Sequence, residues 1–403
     1  MNILVVGHNF PWPANNGGLV RLSGIVQVLA EMGDLDLVAL CEKDRTGRAI
    51  PSDVSPTRVL VVPIERVPSD LQSQLRWMVQ RGIPMEMAYR RIDEAGLGQF
   101  RRWVLPRYDL VWFSYMQSFV WLGEPALGPT VVDFPDLESQ KERRRVQLLS
   151  SSDTPRGLRM RAHRYLSLAH GWKNADDWAR VERRIARRVD SIVLSSSDDC
   201  SQSGLSNAAV VPNVVPQPPT PLGRPRPAGP PQIMFQGSPL YPPNLDAVRW
   251  LHASVAPAIR SLIPTAQIRV VGQPTPAVER MQDPPIFTVV GRVETMDTEL
   301  ARADLVIVPM RFGGGSRIKI IEAFAHRIPV VSTALGAEGL DVEDGVHLLI
   351  ADEPEGLAAA CRRILSDHGL REQIVAAAHR RYLERYGLDA ARAAIAEVAS
   401  TLD

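Results

Sequence analysis

One stretch, residues 303–338 (ADLVIVPMRFGGGSRIKIIEAFAHRIPVVSTALGAE), constrains the fold more than any other part of the chain. It opens with an apolar run of strand length and continues through three consecutive glycines. Apolar residues then follow at helical spacing, among them Ile318, Ile321 and Ala325. Pro329 ends the predicted helix, and Pro-Val-Val-Ser starts a second short buried strand. The stretch therefore predicts a unit of strand, glycine loop, helix and strand.

The glycine loop has the features of an anion site. Glycines let the backbone approach a ligand closely, and a helix N-terminus offers free N–H groups and the positive end of its dipole. We predict that the helix opens at Ser316, a good N-cap residue. Arg317 and Lys319 fall in the first turn, where cations are unfavourable for the helix and an anionic ligand would resolve the conflict. Glu322 lies further along and could accept hydrogen bonds from ribose hydroxyls. The alternative is a glycine-rich turn before a surface helix with scattered charges.

These residues resemble the donor site of retaining GT-B-fold glycosyltransferases of family 4, which transfer sugars from nucleotide-activated donors. The family signature is Glu-x7-Glu, followed by Ala-x-Ala-x-x-x-Pro-Val-Val. Glu322 and the residues 323–331 match its second half, and the resemblance implies that Glu322 holds the donor ribose. The first Glu would fall at position 314, where this chain has Gly314, so the sequence resembles a branch that reads G-G-G-x-R-x-K-x-x-E-A. The resemblance implies donor contacts from Gly314, Gly315, Ser316, Arg317 and Lys319.

Length and composition limit the class of protein. The chain has 403 residues, which is enough for two or three domains. Its net charge of +1 provides no global field that would recruit nucleic acid or a membrane. Three cysteines, far apart, argue against a disulfide framework or a clustered zinc site and favour a reducing cytoplasm. The N-terminus reads as a first strand and not as a signal peptide, and no apolar run approaches the ~20 residues that span a bilayer.

The N-terminal region predicts a doubly wound domain. Residues 2–7 form an apolar strand, a helix follows from about Gly18 to Gly33, and LDLVALC is the next strand. The loop between them is not G-x-G-x-x-G, which excludes a dinucleotide fingerprint and makes a dehydrogenase an unfavourable interpretation. Gly17 and Gly18 start the helix and could contact an anion. The loop resembles the family's first loop, where such a pair lies beside the donor phosphates and the acceptor; a simple tight turn is the alternative.

A second group of polar residues follows the predicted strand PTVVDF. Asp133, Asp136 and Glu138 fall at or just beyond its carboxyl end, the edge at which open α/β sheets bind ligands. The family commonly has a His-Asp pair here, and this chain has Pro135 and Asp136. The resemblance implies that Asp136 orients or activates an acceptor hydroxyl, as the catalytic residue. Alternatively, and compatibly, Asp136 caps the helix that begins near Leu137.

The segment 141–190 is basic and predicted to be helical. It contains 14 Lys or Arg against 6 acidic residues in a chain that is nearly neutral overall. Such asymmetry can mark an anionic acceptor or a membrane surface. A solvated helix face is the alternative explanation.

A cluster of prolines indicates the boundary between the domains. The segment PQPPTPLGRPRPAGPPQ is Pro-rich and reads as a semi-rigid linker. We predict an N-terminal acceptor-side domain over 1–214, a linker over 215–231, a C-terminal donor domain over 232–385 and, over 386–403, a terminal helix that packs back on the first domain. By the resemblance, Gly237 and Ser238 face the donor diphosphate, and Arg292 lies where the family meets the nucleobase.

The strand and helix pattern predicts an α/β protein, and the resemblance implies the GT-B fold, with two Rossmann-like doubly wound domains facing a central cleft. The resemblance also implies transfer of a sugar from a nucleotide-sugar donor to the hydroxyl of a small-molecule, lipid or glycan acceptor, with retention of configuration. No cofactor, no nucleic acid and no metal ion are expected, since helix dipole and cations can stabilise the leaving diphosphate. The protein is expected in the cytoplasm, with peripheral contact at the inner face of the membrane through 141–190 as a further option. A sugar-nucleotide epimerase and a non-catalytic glycosyltransferase-like partner protein remain as alternatives.

Overall fold

The structure is a computed structural model. It describes residues 1–14, 16–42, 50–52, 54–67, 70–151, 158–218, 229–293, 295–314 and 317–402. The chain forms two compact units. The first contains Met1–Ala14, Gly18–Pro212 and Ala391–Asp403, and the second contains Asn15–Gly17 and Asn213–Ala390.

The chain up to residue 212 alternates strands and helices. Its elements are β1 (Asn2–Gly7), α1 (Gly17–Met32), β2 (Asp34–Cys41), β3 (Arg58–Pro63), β4 (Glu65–Arg66), α2 (Leu71–Val79), α3 (Met85–Ala88), β5 (Arg90–Arg91), α4 (Glu94–Trp103), β6 (Leu110–Ser114), α5 (Met116–Trp121), β7 (Thr130–Phe134), α6 (Glu138–Ser151), α7 (Leu158–Ala186), β8 (Ser191–Leu194), α8 (Ser197–Ser203) and β9 (Ala208–Val210).

Seven of these strands form one parallel sheet, in the order β3-β2-β1-β6-β7-β8-β9. Val5 of β1 lies opposite Leu37 on one side and Trp112 on the other. The central strands are near-continuous apolar runs with no exposed side chain, as expected where helices cover both faces of a parallel sheet. The two-residue strands β4 and β5 form a separate antiparallel pair.

A buried ion pair holds α1 against this sheet. Arg21 is 2% exposed and Asp133 is fully buried, with 2.7 Å between guanidinium Nη2 and carboxylate Oδ1. Arg21 Nε donates to both carboxylate oxygens, and Nη1 donates to the carbonyl of Val211. A buried carboxylate needs this much compensation, because each lone ion would otherwise carry its full desolvation cost. Asp133 is therefore engaged within the core of the first unit.

The rest of the chain continues the alternation. Its elements are β10 (Gln232–Gln236), α9 (Pro242–Trp250), a π-helical turn (Leu251–Val255), α10 (Ala256–Leu262), β11 (Gln267–Val271), α11 (Pro276–Glu279), β12 (Phe287–Gly291), α12 (Met296–Arg302), β13 (Leu305–Val308), α13 (Ile318–Ala325), β14 (Val330–Ser332), α14 (Ala334–Ala337), β15 (Leu349–Ile350), α15 (Pro354–Ser366), α16 (His368–Arg385) and α17 (Leu388–Ser400). The sheet of the second unit has the order β12-β11-β10-β13-β14-β15, and its strands pair in parallel.

Two predicted helices differ from the observed ones. The single helix predicted from Asn244 to Leu262 is α9 and α10 joined by the π-helical turn, and it begins earlier, at Pro242. The helix after the glycine loop begins at Ile318 and not at Ser316, which lies outside the described residues. Arg317 has φ −84° and ψ 94°, an extended conformation that cannot belong to the helix.

The buried face of α13 differs from the prediction at one position. Ile320, Ile321, Ala323, Phe324 and Ala325 are buried, whereas Ile318 is half-buried. The buried positions form a broad face of this short helix. The half-buried positions, Lys319 and Glu322 among them, lie beside this face and remain partly accessible.

The ends of the second unit are tied by specific hydrogen bonds. Val215 N–H donates to the carbonyl of Tyr386 at 3.1 Å, and the Tyr382 hydroxyl donates to the Val215 carbonyl at 2.9 Å. Most of the predicted Pro-rich linker, residues 219–228, lies outside the described residues. Within the first unit, Arg392 of α17 donates to Glu31 of α1 at 2.6 Å. Among the helices that the structure describes, none is long and apolar enough to cross a membrane.

Candidate functional site

The sheet of the second unit reverses its winding beside its first strand. β10 pairs with β11 on one side and with β13 on the other, so the connections after β10 and β13 diverge. Open α/β sheets bind ligands at the carboxyl ends of the two strands that flank such a switch point. The loop after β10 carries Gly237 and Ser238, and the loop after β13 leads through the glycines to α13. The topology therefore brings these two predicted loops to one edge.

The loop after β10 is packed so tightly that it requires glycine. Gly237 has φ +146°, and a Cβ there would come within 2.7 Å of the Asn244 amide. Asn244 Nδ2 donates to the Ser238 carbonyl at 3.1 Å. The Ser238 hydroxyl donates to the carbonyl of Gln273 at 3.0 Å. The loop is thus held from α9 and from the chain after β11.

Lys319 reaches from α13 to Asn244, the α9 residue that holds this loop. Its Nζ donates to Asn244 Oδ1 at 2.8 Å and lies 4.3 Å from the centroid of the Phe235 ring. The pKa of Lys319 is lowered to about 7, mainly by burial and also by the neighbouring Arg317, while Glu322 opposes both effects. The Lys319 amine is consequently only partly protonated at neutral pH. A bound anion would raise its pKa, so that the amine would be fully protonated in the complex.

Glu322 lies one turn after Lys319 on the same helix. Gln236, at the end of β10, donates from Nε2 to Glu322 Oε2 at 2.6 Å. Burial raises the pKa of Glu322 to about 7, with Lys319 lowering it and Asp297 raising it. Gln236 Oε1 is buried and has no hydrogen-bond partner among the described residues. Glu322 and Gln236 together present oxygen acceptors that suit hydroxyl donors.

Arg317 is held by the glycine loop. Its side chain is buried, and Nη1 donates to the carbonyl of Gly314. Gly313 has φ +142°, and a Cβ there would lie 2.9 Å from Arg317 Nη2. Because Gly313 has no side chain, the Arg317 guanidinium can pack directly against the backbone of the loop. Of the other loop residues predicted to bind the donor, Gly315 and Ser316 lie outside the described residues.

Arg292 lies apart from this group in the sheet. It follows β12, the edge strand, and β11 stands between β12 and β10. Its side chain is exposed. Its predicted contact with a nucleobase stays a prediction, as do the predicted roles of the other site residues.

Gln236 and Asn244 were missed by the sequence reasoning. Both contact residues of α13 that the sequence singles out. Gln236 did carry a signal, because it is the one polar residue that closes the carboxyl end of the apolar run in QIMFQ. Asn244 carried none, since an Asn in the first turn of a helix is commonplace.

The first unit has its own switch point, between β1 and β6. His8, directly after β1, has Nδ1 3.4 Å from the Ser114 hydroxyl and its ring centroid 4.0 Å from that of Tyr115. Burial, with a smaller contribution from Arg90, lowers the pKa of His8 to about 4, so the imidazole is neutral at physiological pH. Tyr115 has φ +68°, a left-handed conformation that is costly for a bulky residue and is typical of functional sites.

Asp136 lies beyond the next strand, in a cluster with two other charged groups. Lys141 Nζ is 3.5 Å from Asp136 Oδ2 and 2.5 Å from Glu138 Oε1. Burial raises the pKa of Glu138 to about 7, Lys141 opposes the rise and Asp136 adds to it. Burial also raises the pKa of the Tyr115 phenol, and Asp136 contributes to that shift. The predicted catalytic residue thus shares its edge with Tyr115, Glu138 and Lys141, of which sequence reasoning noted only Glu138 as a neighbour.

The remaining predicted contacts lie at the start of α1. Gly17 and Gly18 form its first two positions and are half-buried, and no acidic residue occurs in the first turn. This start of α1 follows the loop after β1 that also contains His8. Within the described residues, no group of three or more His, Cys, Asp or Glu side chains is arranged to hold a metal ion.

A family model matches the part of the chain that contains the switch point of the second unit, between β10 and β13. Residues 230–367, about a third of the chain, match the model described as Glycosyl transferases group 1. Over 130 residues the chain is 24% identical to an uncharacterized 44.6 kDa protein in the cps region of Klebsiella pneumoniae. That alignment covers 30% of this chain and 34% of the relative, so the chain matches about a third of the relative's length.

Solved structures resemble the whole chain. Sucrose-phosphate synthase from Thermosynechococcus elongatus has a TM-score of 0.69 at 17% identity, covering 100% of this chain and 99% of the other. HepE of Anabaena in complex with UDP and glucose has a TM-score of 0.66 at 16% identity, covering 99% of each chain. The predicted fold class, α/β with the two Rossmann-like domains of the GT-B fold, is confirmed. The fold and the family-model match together support a glycosyltransferase.

Proposed function

We propose that the protein is a glycosyltransferase that moves a sugar from a nucleotide-sugar donor to an acceptor hydroxyl. The observation that carries the proposal is the grouping of Lys319, Glu322 and Gln236 at the switch point of the domain that matches the glycosyl transferase model. A cation and acceptor oxygens on one helix face suit a diphosphate and the hydroxyls of a ribose. HepE of Anabaena, which shares the fold, is described in complex with UDP and glucose.

In this proposal Lys319 binds the donor diphosphate. When the bond between the sugar and the diphosphate breaks, negative charge develops on the departing oxygen, and a positioned ammonium stabilises that charge. The lowered pKa of Lys319 makes the charge responsive to the ligand, because the diphosphate raises the pKa of the ammonium beside it. Arg317, whose guanidinium is fixed by the Gly314 carbonyl, supplies a second cation in the same loop.

Glu322 accepts hydrogen bonds from the donor ribose. Gln236 holds one carboxylate oxygen at 2.6 Å and so orients the other. The unpartnered Gln236 Oε1 supports the same reading, since a buried acceptor without a donor is costly until a ligand hydroxyl provides one. Gly237, Ser238 and the glycines before Arg317 let the diphosphate approach the backbone.

The acceptor side of the proposal involves Asp136. It orients or activates the acceptor hydroxyl in the company of Glu138 and Lys141. Gly17 and Gly18, the first residues of α1, lie beside the donor phosphates and the acceptor in this proposal. Membership in family 4, retention of configuration, action without a metal ion and a cytoplasmic location also belong to the proposal. The acceptor is a small molecule, a lipid or a glycan.

The first test is binding of nucleoside diphosphates. UDP, GDP, dTDP and ADP are compared by thermal shift, because a ligand at about a hundred times its Kd stabilises the folded state by about 2.7 kcal/mol. One of the four should stabilise the protein, and stabilisation by none of them would contradict the proposal. Incubation with the matching nucleotide sugar, with and without acceptors, then separates transfer from isomerisation of the donor alone.

A further inference from the structure

The outer face of α7 carries a row of apolar side chains that no other element among the described residues covers. Tyr165 is 60% exposed, Leu166 59% and Trp172 49%. Ala162 and Ala169 are also exposed. These five residues, here called the α7 stripe, are three and four positions apart and so share one face of the helix. Singly exposed apolar residues are ordinary, but an apolar row along one helix face is typical of an interaction surface.

The same face becomes basic towards the end of the helix. From Trp172, steps of four, four, three and four residues lead through Asp176 to Arg180, Arg183 and Arg187. The five arginines at this end line an open pocket of about 360 Å³; they are Arg180, Arg183, Arg184, Arg187 and Arg188. This set is called the arginine pocket below.

Only part of the positive charge in the arginine pocket is neutralised by the protein. Arg180 pairs with Asp176 at 2.7 Å, and Arg184 and Arg188 share Glu124. Arg183 and Arg187 are exposed and make no ion pair with any residue that the structure describes. Arg183 also interacts electrostatically with Asp176 and with the buried Glu182. Of the five arginines, Arg183 and Arg187 are therefore the two without a direct ion pair among the described residues, and they can meet an external anion.

A neighbouring helix packs beside the α7 stripe and not over it. Trp77 of α2 packs edge-to-face on His170 of α7, with ring centroids 5.7 Å apart, and Lys173 Nζ lies 4.0 Å from the Trp77 ring centroid. The stripe residues Tyr165, Leu166 and Trp172 remain exposed beside this contact.

We propose that α7 docks the protein on an anionic lipid bilayer, with the α7 stripe in the headgroup–acyl boundary and the arginine pocket on lipid phosphates. A helix with an apolar face and an adjacent cluster of arginines has the design of an interfacial helix, which lies in the plane of the membrane surface. Arg side chains at its end can reach phosphates while their aliphatic stems remain in apolar contact.

Charge distribution favours a membrane over a protein partner. The segment 141–190 has 14 basic against 6 acidic residues, although the whole chain is only +1. A negative lipid surface would therefore attract this segment and turn it towards the bilayer. The inference concerns a surface other than the proposed donor and acceptor residues, so it does not rest on the proposed function.

The test is co-sedimentation of the full chain with vesicles. Vesicles of phosphatidylcholine alone are compared with vesicles that contain about one-third phosphatidylglycerol, at low and high salt. We expect binding to the anionic vesicles, weakened by salt, and little binding to the neutral ones. Absence of binding to anionic vesicles at low salt would overturn the proposal.

Two double variants locate the surface. Arg183→Ala with Arg187→Ala should lower partitioning onto anionic vesicles about thirtyfold, since each basic residue near such a surface contributes about fivefold. Leu166→Ser with Trp172→Ser should lower it at least about tenfold by removing inserted apolar area. The matched controls are Arg362→Ala with Arg363→Ala on α15, and Leu383→Ser on α16, which are exposed elsewhere and should leave partitioning unchanged.

Three further outcomes test where the surface lies, what covers it and whether it is independent of the proposed transferase activity. If either α7 variant partitions like wild type, the assignment of the surface is wrong. If the wild-type chain is a dimer by sedimentation velocity and the Leu166–Trp172 double variant is a monomer, a second copy covers the α7 stripe and the membrane proposal fails. Nucleoside diphosphate binding, measured on every variant, should be retained, which separates failure of this proposal from failure of the proposed transferase.

Discussion

The two sheets of this protein share the same winding around their first strands, yet the side chains at the carboxyl ends of their central strands, where we propose that ligands bind, differ in charge. In the second unit, Arg317 and Lys319 precede a single carboxylate, Glu322, and one polar amide orients it. In the first unit, carboxylates follow one strand and a neutral His8 follows another. In the proposed function the edge of the second unit binds an anion and the edge of the first unit a neutral hydroxyl compound, although the order of the strands around the switch point is the same in both sheets.

Burial acts differently at the two edges. In the second unit it brings the pKa of an ammonium and of a carboxylate to about 7 from opposite directions, so that the charge of the pair depends on the ligand. In the first unit the carboxylates are already paired, Asp133 with Arg21 and Asp136 with Lys141. The comparison teaches that a shared fold positions the loops, whereas the side chains at the strand ends determine which ligand each edge can hold.

The largest expected effect would separate the two edges by function. Asp136→Asn should lower the single-turnover rate about 10²–10⁴-fold at saturating donor and acceptor, because assistance by a general base or a positioned carboxylate has that magnitude. Donor affinity, measured by calorimetry, should not change. Asp198→Asn, at an exposed position of the same unit, is the matched control. A fall of less than about fivefold would leave Asp136 as a helix-cap or ion-pair residue.

Glu322→Gln tests the ribose contact at the other edge. The substitution keeps the shape but removes the charge, and a hydrogen bond to a charged group contributes about 1.5–3 kcal/mol. Donor affinity should therefore fall about tenfold to a hundredfold, measured by calorimetry with the nucleoside diphosphate. Glu279→Gln, exposed in the same unit, serves as the control. If the folded Glu322→Gln protein binds the nucleoside diphosphate with unchanged affinity, Glu322 does not contact the ribose.

The two cations should act on the diphosphate and not on the nucleoside. In Arg317→Ala and in Lys319→Ala, affinity for the nucleoside diphosphate should fall about tenfold, since a charge-assisted hydrogen bond is lost. Affinity for the bare nucleoside should change much less, and Arg260→Ala should change neither. An unaltered ratio of the two affinities in both variants would show that neither residue contacts phosphate.

The smallest effect concerns pH and would sharpen the comparison of burial at the two edges. Because the pKa of Lys319 is about 7 without ligand and a diphosphate raises it, nucleoside diphosphate affinity should fall as pH rises from 7 towards 9. A rise of one pKa unit on binding limits the fall to about tenfold.

The guanidinium of Lys319→Arg stays charged over this pH range, so that variant should show a much flatter profile. Glu322 also titrates near 7, and the Glu322→Gln background removes its contribution. An equally steep profile in Lys319→Arg would assign the titration to another group. Calorimetry at several pH values provides all of these affinities.

The sequence by itself determined the order of the elements. Buried parallel strands are near-continuous apolar runs, so stretches such as LVWFS and SIVL identify themselves without neighbours. Glycines that must adopt positive φ mark the ligand loops, and the spacing of three between Lys319 and Glu322 places both on one side of a helix. These signals are local, which is why pattern suffices to predict the alternation of strands and helices and most of the α13 helix. The prediction of the GT-B fold rested in addition on the resemblance of residues 303–338 to a glycosyltransferase family.

Tertiary structure alone decided which distant residues meet. Gln236 and Glu322 are 86 positions apart, and Arg21 and Asp133 are 112 apart, and no local pattern links either pair. Tertiary structure alone also decided which side chains are buried, because burial depends on what packs around them. This burial brings the pKa of Lys319, Glu322 and Glu138 to about 7. The same is true of α7, whose apolar residues at helical spacing would ordinarily indicate a buried face. Only the packing of the surrounding elements leaves that face exposed, because burial is a property of the neighbours and not of the sequence that is buried.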